Sequence, residues 1–219
     1  MVSTTLNKVG DERRTTPRKP IRGEPVWELD DPSLPLQGDW TPELFLKLDM
    51  NGTELVDGCL EFKPMANEPH NDILFYVFTL IHNLIRPKKI GKGSFATLKV
   101  KTVGKNRREP DTVVVMAENY DRFRQRSSWL GADFIVEIVS QDDPKRDYDD
   151  KRVEYAAAGI GEYWIIDPLE NHVVVLRLGE GATAYRQVGV FRDEEPFDSS
   201  TVPGLRLTPN QVSAPVQDD

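Results

Sequence analysis

Cysteine is nearly absent: Cys59 is the one thiol in 219 residues. That excludes an intramolecular disulfide and a zinc site built from cysteines. Also missing is any uninterrupted apolar run approaching the ~20 residues needed to span a bilayer. The longest stretch, Ile73 to Ile85, carries His82 and Asn83 and reads as a buried helix. No charged-then-apolar leader opens the chain. These absences predict a soluble, intracellular protein of the cytoplasm with no membrane partner. There is no internal repeat, no Walker-type lysine loop and no Gly-x-Gly-x-x-Gly after a strand, so no nucleotide cofactor is indicated.

What is present suits a single domain with appendages. Apolar residues make up 38% of the chain, enough for a core, while 29% charged residues and 16 prolines imply substantial loop or tail. The net charge of −8 argues at first against nucleic acid as a partner. Its distribution reverses that argument. From Arg86 to Arg108 there are nine basic residues and no Asp or Glu, which leaves about −17 on the rest of the chain. A segregated basic stretch attracts phosphate locally even in an acidic protein. A solvated edge hairpin kept soluble by lysines is the plainer explanation.

Residues 1–40 show no period of 2 or 3.6 and read as a flexible N-terminal arm, with a basic cluster at Arg13, Arg14, Arg18, Lys19 and Arg22. The folded unit is expected over 41–210, with 211–219 as a C-terminal tail. Thr41 is placed to cap a short helix, and TELV and CLEF flank Asp57-Gly58 as a hairpin. A long helix is predicted from about Pro69 to Ile85 and closes at Pro87. TLKVKTV alternates as a half-exposed strand, whereas TVVVM and FIVEIV read as strands covered on both faces. The segment between them, AENYDRFRQRSSWLGA, reads as loop. Asp147 and Asp150 suggest a capped helix with two stripes. One is Val153, Ala156, Ala157 and Ile160; the other is Tyr148, Lys151, Tyr155 and Ala158. EYWIID and HVVVLRL follow as strands, with one or two more before Val202. The expected class is mixed α/β.

The chemistry lies in two carboxylates that interrupt buried strand. Asp111 stands ahead of Thr112 and three valines, and Glu137 sits in the middle of FIVEIV. An unpaired carboxylate there would cost several kcal/mol, on the order of known desolvation penalties. Something positive is expected between the two: a divalent cation, or Lys151. If the strands are neighbours, both carboxylates converge at a sheet edge and suit Mg²⁺ (or Mn²⁺), with the carbonyl of Ile138 as a further ligand. Such an ion polarises a phosphoryl oxygen, and Lys151 would orient water or stabilise the transition state. Bland alternatives stand beside this. Asp111 can cap a strand entrance, Glu137 and Lys151 can form a structural bridge, and His70 reads as a cap or surface group. His82 and His172 read as structural.

ELVDG, PMANEPH before a long helix, EPD, and the block from Asp133 to Pro168 closely resemble the Uma-type endonuclease family. That family is a branch of the PD-(D/E)XK nuclease superfamily. The resemblance runs from about Glu54 to Val202. It implies a restriction-endonuclease-like core, an α/β sandwich around a mixed central sheet flanked by helices. It implies metal ligands at Asp111 and Glu137, with Lys151 as the third catalytic residue. Val139 stands where the general motif has lysine, which matches a lysine moved to the next helix. Glu54 and His70 match family positions without a defined task. Two functions follow: a metal-dependent endonuclease hydrolysing DNA phosphodiesters, or a degenerate nuclease fold that binds nucleic acid or protein. Self-association is left open.

Overall fold

The computed structural model describes residues 19–63, 66–95, 98–125 and 128–213. Arg13, Arg14 and Arg18 of the N-terminal basic cluster lie outside them. Lys19 forms an exposed ion pair with Asp150 at 3.3 Å, and Arg22 donates to the Asp57 carbonyl. Residues 19–40 form turns without helix or strand, and Val26 and Trp40 are buried among them.

Local signals behave as the sequence predicts over the first elements. The Thr41 hydroxyl accepts from Leu44 N at 3.3 Å, starting α1 (Pro42–Leu48). β1 (Thr53–Val56) and β2 (Cys59–Phe62) form a hairpin whose turn residues, Asp57 and Gly58, have φ of 49° and 80°. Two positive-φ residues are what a type I′ turn requires. A Cβ at Gly58 would also collide with the Gly38 carbonyl. α2 (Glu68–Ile85) is capped by Asn67, which accepts from His70 N at 3.0 Å.

The remaining strands are β3 (Gly91–Phe95), β4 (Lys99–Lys101), β5 (Arg107–Arg108), β6 (Thr112–Met116), β7 (Ser128–Trp129) and β8 (Phe134–Ile138), followed by β9 (Glu162–Asp167), β10 (His172–Arg177), β11 (Arg186–Arg192), β12 (Phe197–Asp198) and β13 (Arg206–Leu207). The helices among them are α3 (Tyr120–Phe123), α4 (Lys151–Ala157) and α5 (Pro209–Ser213). A mixed six-stranded sheet runs β11-β10-β9-β8-β6-β3, with β8 and β9 parallel across the α4 crossover. α2 covers one face through Ile73, Val77, Ile81 and Ile85, packed with Phe134, Val136 and Trp164. α4 covers the other through Tyr155, Ala156 and Ile160, packed with Ile135, Val139 and Tyr163. A second sheet, β2-β1-β5-β4-β7, has its own small core around Trp40, Phe45, Leu55 and Leu60.

Four expectations need correction. The segment after Met116 is not plain loop: it holds a 3₁₀ turn (Ala117–Asn119), α3 and β7. Neither Asp147 nor Asp150 caps a helix, because a π-helical turn, Arg146–Asp150, runs straight into α4. The apolar stripe is also split: Val153 is 70% exposed while Ala156 and Ile160 are buried, and Lys151 and Tyr155 of the other stripe are buried with them. Ion pairs with Glu137 and Asp147 accompany the burial of Lys151.

The fourth concerns the basic stretch. Lys99, Arg107 and Arg108 are buried, so they are not a solvated face. Lys99 donates to the carbonyls of Met50 and Thr53 at 3.0 and 2.7 Å and pairs closely with Glu109. Arg86, Lys88, Lys89, Lys92 and Lys105 remain exposed and Lys101 half-buried. Reversing the charge of Lys99 would therefore test the fold rather than phosphate contact.

Candidate active site

The apolar strands bring the two lone carboxylates together. β6 and β8 are antiparallel with Thr112 opposite Val136, so Asp111 and Glu137 form the next cross-strand pair. Their separation is bridged by the backbone: Asp111 N lies 3.4 Å from Glu137 Oε2, and Ile138 N donates to Asp111 Oδ2 at 2.8 Å. The amide of Ile138 thus engages Asp111 directly. Both side chains are buried.

Two lysines and a histidine close over them from two sides. On Asp111, Lys63 Nζ sits 3.0 Å from Oδ1 and His70 Nε2 lies 3.1 Å from Oδ2. Lys63 also donates to the Glu109 carbonyl at 2.7 Å. On Glu137, Lys151 Nζ is 2.9 Å from Oε1, and the Tyr155 hydroxyl donates to the same oxygen at 2.6 Å. Lys151 holds Asp147 Oδ1 at 2.8 Å as well. Asp147 therefore turns inward to the lysine one turn later, which is why it is not free to cap. Val139 packs in the core beneath α4.

The charges are unevenly compensated. For Asp111, burial works against ionisation, but Lys63 and His70 outweigh it and hold the carboxyl well below the usual range. For Glu137, burial dominates; Lys151 offsets part of it while Asp111 and Asp147 add repulsion, and the carboxyl is pushed up to about 7. Lys151 is buried too, yet Asp147 and Glu137 hold its ammonium above the ordinary lysine value. Lys63 is raised likewise by Asp111 and Glu137 after burial is overcome. Both lysines are consequently fixed positive charges at neutral pH and not bases.

A divalent ion fits this donor set. Mg²⁺ is commonly held by one or two carboxylates plus water, and the pair supplies hard oxygen donors. Among the described residues no group of three or more His, Cys, Asp and Glu is gathered to hold a metal. A carboxyl raised by burial and like charge is one that a further cation would ionise.

Behind the pair lies an ion network that gives Glu54 a task. Glu54 is fully buried, accepts from Arg108 Nη1 at 2.8 Å and Glu109 N at 2.9 Å, and pairs closely with Arg146. Burial opposes its ionisation, but Arg146 and Arg108 hold it well below the usual carboxylate range. Arg108 also clasps Glu154 Oε2, at 2.9 Å from Nε and 2.6 Å from Nη2. The small sheet, the π-helical turn and α4 are thus tied to one another around Lys151. Arg108→Met is expected to lower stability by about 3 kcal/mol, since it strips buried Glu154 of its ion-pair partner and buried Glu54 of one of its two arginines. Urea unfolding would read this, and an unchanged midpoint would show that the network is dispensable.

Sequence reasoning missed Lys63, Tyr155 and the Arg108 network, and it underrated His70. Asp111, Glu137 and Lys151 lie together as described, with Lys151 on Glu137 and not on Asp111.

The family model Uma2, described as "Putative restriction endonuclease", matches residues 42–210. The chain belongs to that family. Its mixed α/β core is shared with the crystal structure of a "putative nuclease belonging to DUF820" from Anabaena variabilis. The two are 22% identical, and the match covers 79% of this chain and 97% of the other with a TM-score of 0.65. No curated protein matches the chain. No helix among the described residues is long and apolar enough to cross a membrane.

Proposed function

We propose that the protein is a divalent-metal-dependent endonuclease that hydrolyses DNA phosphodiester bonds, with Asp111, Glu137 and Lys151 as its catalytic residues. The observation that carries the reading is the cross-strand pairing of Asp111 and Glu137, two buried carboxylates flanked by fixed ammonium groups. Asp111 and Glu137 would hold Mg²⁺ or Mn²⁺. When bound, the ion would supply Lewis-acid stabilisation of charge on the phosphodiester. Lys151 contributes positive charge beside Glu137, placed to stabilise the anionic transition state without donating a proton. Lys63 fixes the Asp111 carboxylate in its ionised form. Tyr155 and the amide of Asp111 hold Glu137 in one orientation.

The test is plasmid cleavage by purified protein with Mg²⁺ or Mn²⁺, and with EDTA. Nicking that depends on the ion supports the reading; none with either ion on supercoiled, linear or single-stranded DNA overturns it. A second reading is a degenerate nuclease fold that only binds nucleic acid or protein. It is favoured by one observation: Lys63 and Lys151 already neutralise the carboxylates in part. A calorimetric Mn²⁺ titration separates the two, because a degenerate site internally neutralised by lysine would bind no ion.

A further inference from the structure

On the α2 side of the sheet, one strand position along from Asp111, lies an apolar pocket of about 220 Å³, lined by Asn71, Leu74, Phe75, Phe78 and Phe95. Phe75 is 72% exposed and Phe95 49%. Large aromatics left in solvent this way usually mark a surface that meets something. The place of the pocket says what. Phe95, on the edge strand β3, is the cross-strand partner of Thr112, the residue that follows Asp111. On the helical side, Asn71 follows His70, whose ring touches Asp111, and Leu74 and Phe75 are about one turn further along α2. Phe78 packs against Phe95 with ring centroids 4.6 Å apart and the planes tilted by 57°.

We infer that this pocket receives an unstacked nucleobase of the substrate strand, adjacent to the phosphodiester at Asp111 and Glu137. The inference rests on the proposed nuclease function and names its substrate class: DNA with an unpaired or extruded base. Exposed phenyl rings offer a stacking surface that tolerates any base, because every base has a π-face. A pocket of about 220 Å³ has room for one planar ring system. A second copy of the chain is a poorer occupant. Five side chains are few against the roughly 20–30 residues per partner of a stable interface.

The test is fluorescence anisotropy of the full chain with a labelled single strand and with the same sequence as a duplex, in EDTA so that nothing is cut. Phe75→Ala is expected to weaken single-strand binding by about tenfold. Duplex binding should change far less, and Phe75→Trp should restore the single-strand affinity. Phe75 is exposed, and matched thermal melts confirm that the variant folds. Unchanged single-strand affinity overturns the inference, as does an equal loss on both substrates or no binding by the parent. A dimer seen in sedimentation and lost in Phe75→Ala, with nucleic-acid binding unaffected, overturns it in favour of self-association. Absence of cleavage with single-strand preference intact would overturn the nuclease reading alone.

Discussion

Glu137→Gln is expected to lose metal-dependent cleavage by about 10³-fold and yet to melt at a higher temperature than the parent above pH 7. Glutamine keeps the shape of the side chain, and its carbonyl oxygen still accepts from Tyr155 and Lys151. What it cannot do is carry charge. The Glu137 carboxyl is pushed up to about 7 by burial, from an ordinary value of 4.5. Between those values the folded protein binds more protons than the unfolded chain, so the stability from this group falls as pH rises. The advantage of the variant should therefore be slight at pH 5, grow through pH 6 and level off above pH 7. It is limited to a few kcal/mol, at ~1.4 kcal/mol per pH unit over that interval. Melts from pH 5 to 8 without metal, beside a plasmid-nicking assay, check both halves. Full cleavage by the variant, or a lower melting temperature at pH 8, would overturn the assignment. Alanine is a poorer probe, because it strips the acceptor from the Tyr155 hydroxyl, whereas glutamine gives up only the long 3.4 Å contact with the Asp111 amide.

The elements legible in the sequence were those with local signatures. α2 shows its period, the β1–β2 hairpin shows Asp57-Gly58, and α1 shows Thr41. The acid pair was legible for a different reason: a lone carboxylate amid valines or isoleucines demands a partner, and each had one such run. The partners themselves were not legible. Lys63 meets Asp111 across 48 residues of chain, and Arg146 meets Glu54 across 92. Nothing local to FKPM marks its lysine as buried. The basic stretch misled for the same reason. Arg108 resembles its neighbours in sequence, but three acidic side chains, from Glu54, Glu61 and Glu154, converge on it in space. Phe75 was hidden by the apolar stripe beside it, which accounts for α2 without needing it.

Lys151→Met is expected to lose about 3–5 kcal/mol of stability at pH 8 and to cleave about 10²-fold more slowly. Methionine fills the volume of the lysine stem but leaves Glu137 and Asp147 facing each other with no cation between them. Lys151 is what restrains the rise of the Glu137 carboxyl; without it that group should take up a proton at still higher pH. The stability gap to the parent should accordingly widen as pH rises from 5 to 8, and narrow again where protonation neutralises the pair. A divalent ion offers a second route to neutralisation. Mn²⁺ should raise the melting temperature of the variant more than that of the parent, since a resident competitor has gone. Lys151→Arg restores positive charge and should recover most of the stability. It should recover less of the rate, because a planar guanidinium cannot place its charge where the compact ammonium sits. Melts across pH with and without Mn²⁺, read beside cleavage rates for the three proteins, test the whole argument. If Lys151→Met melts with the parent at pH 8, Lys151 does not hold the pair; if it also cleaves with the parent, Lys151 has no part in the chemistry.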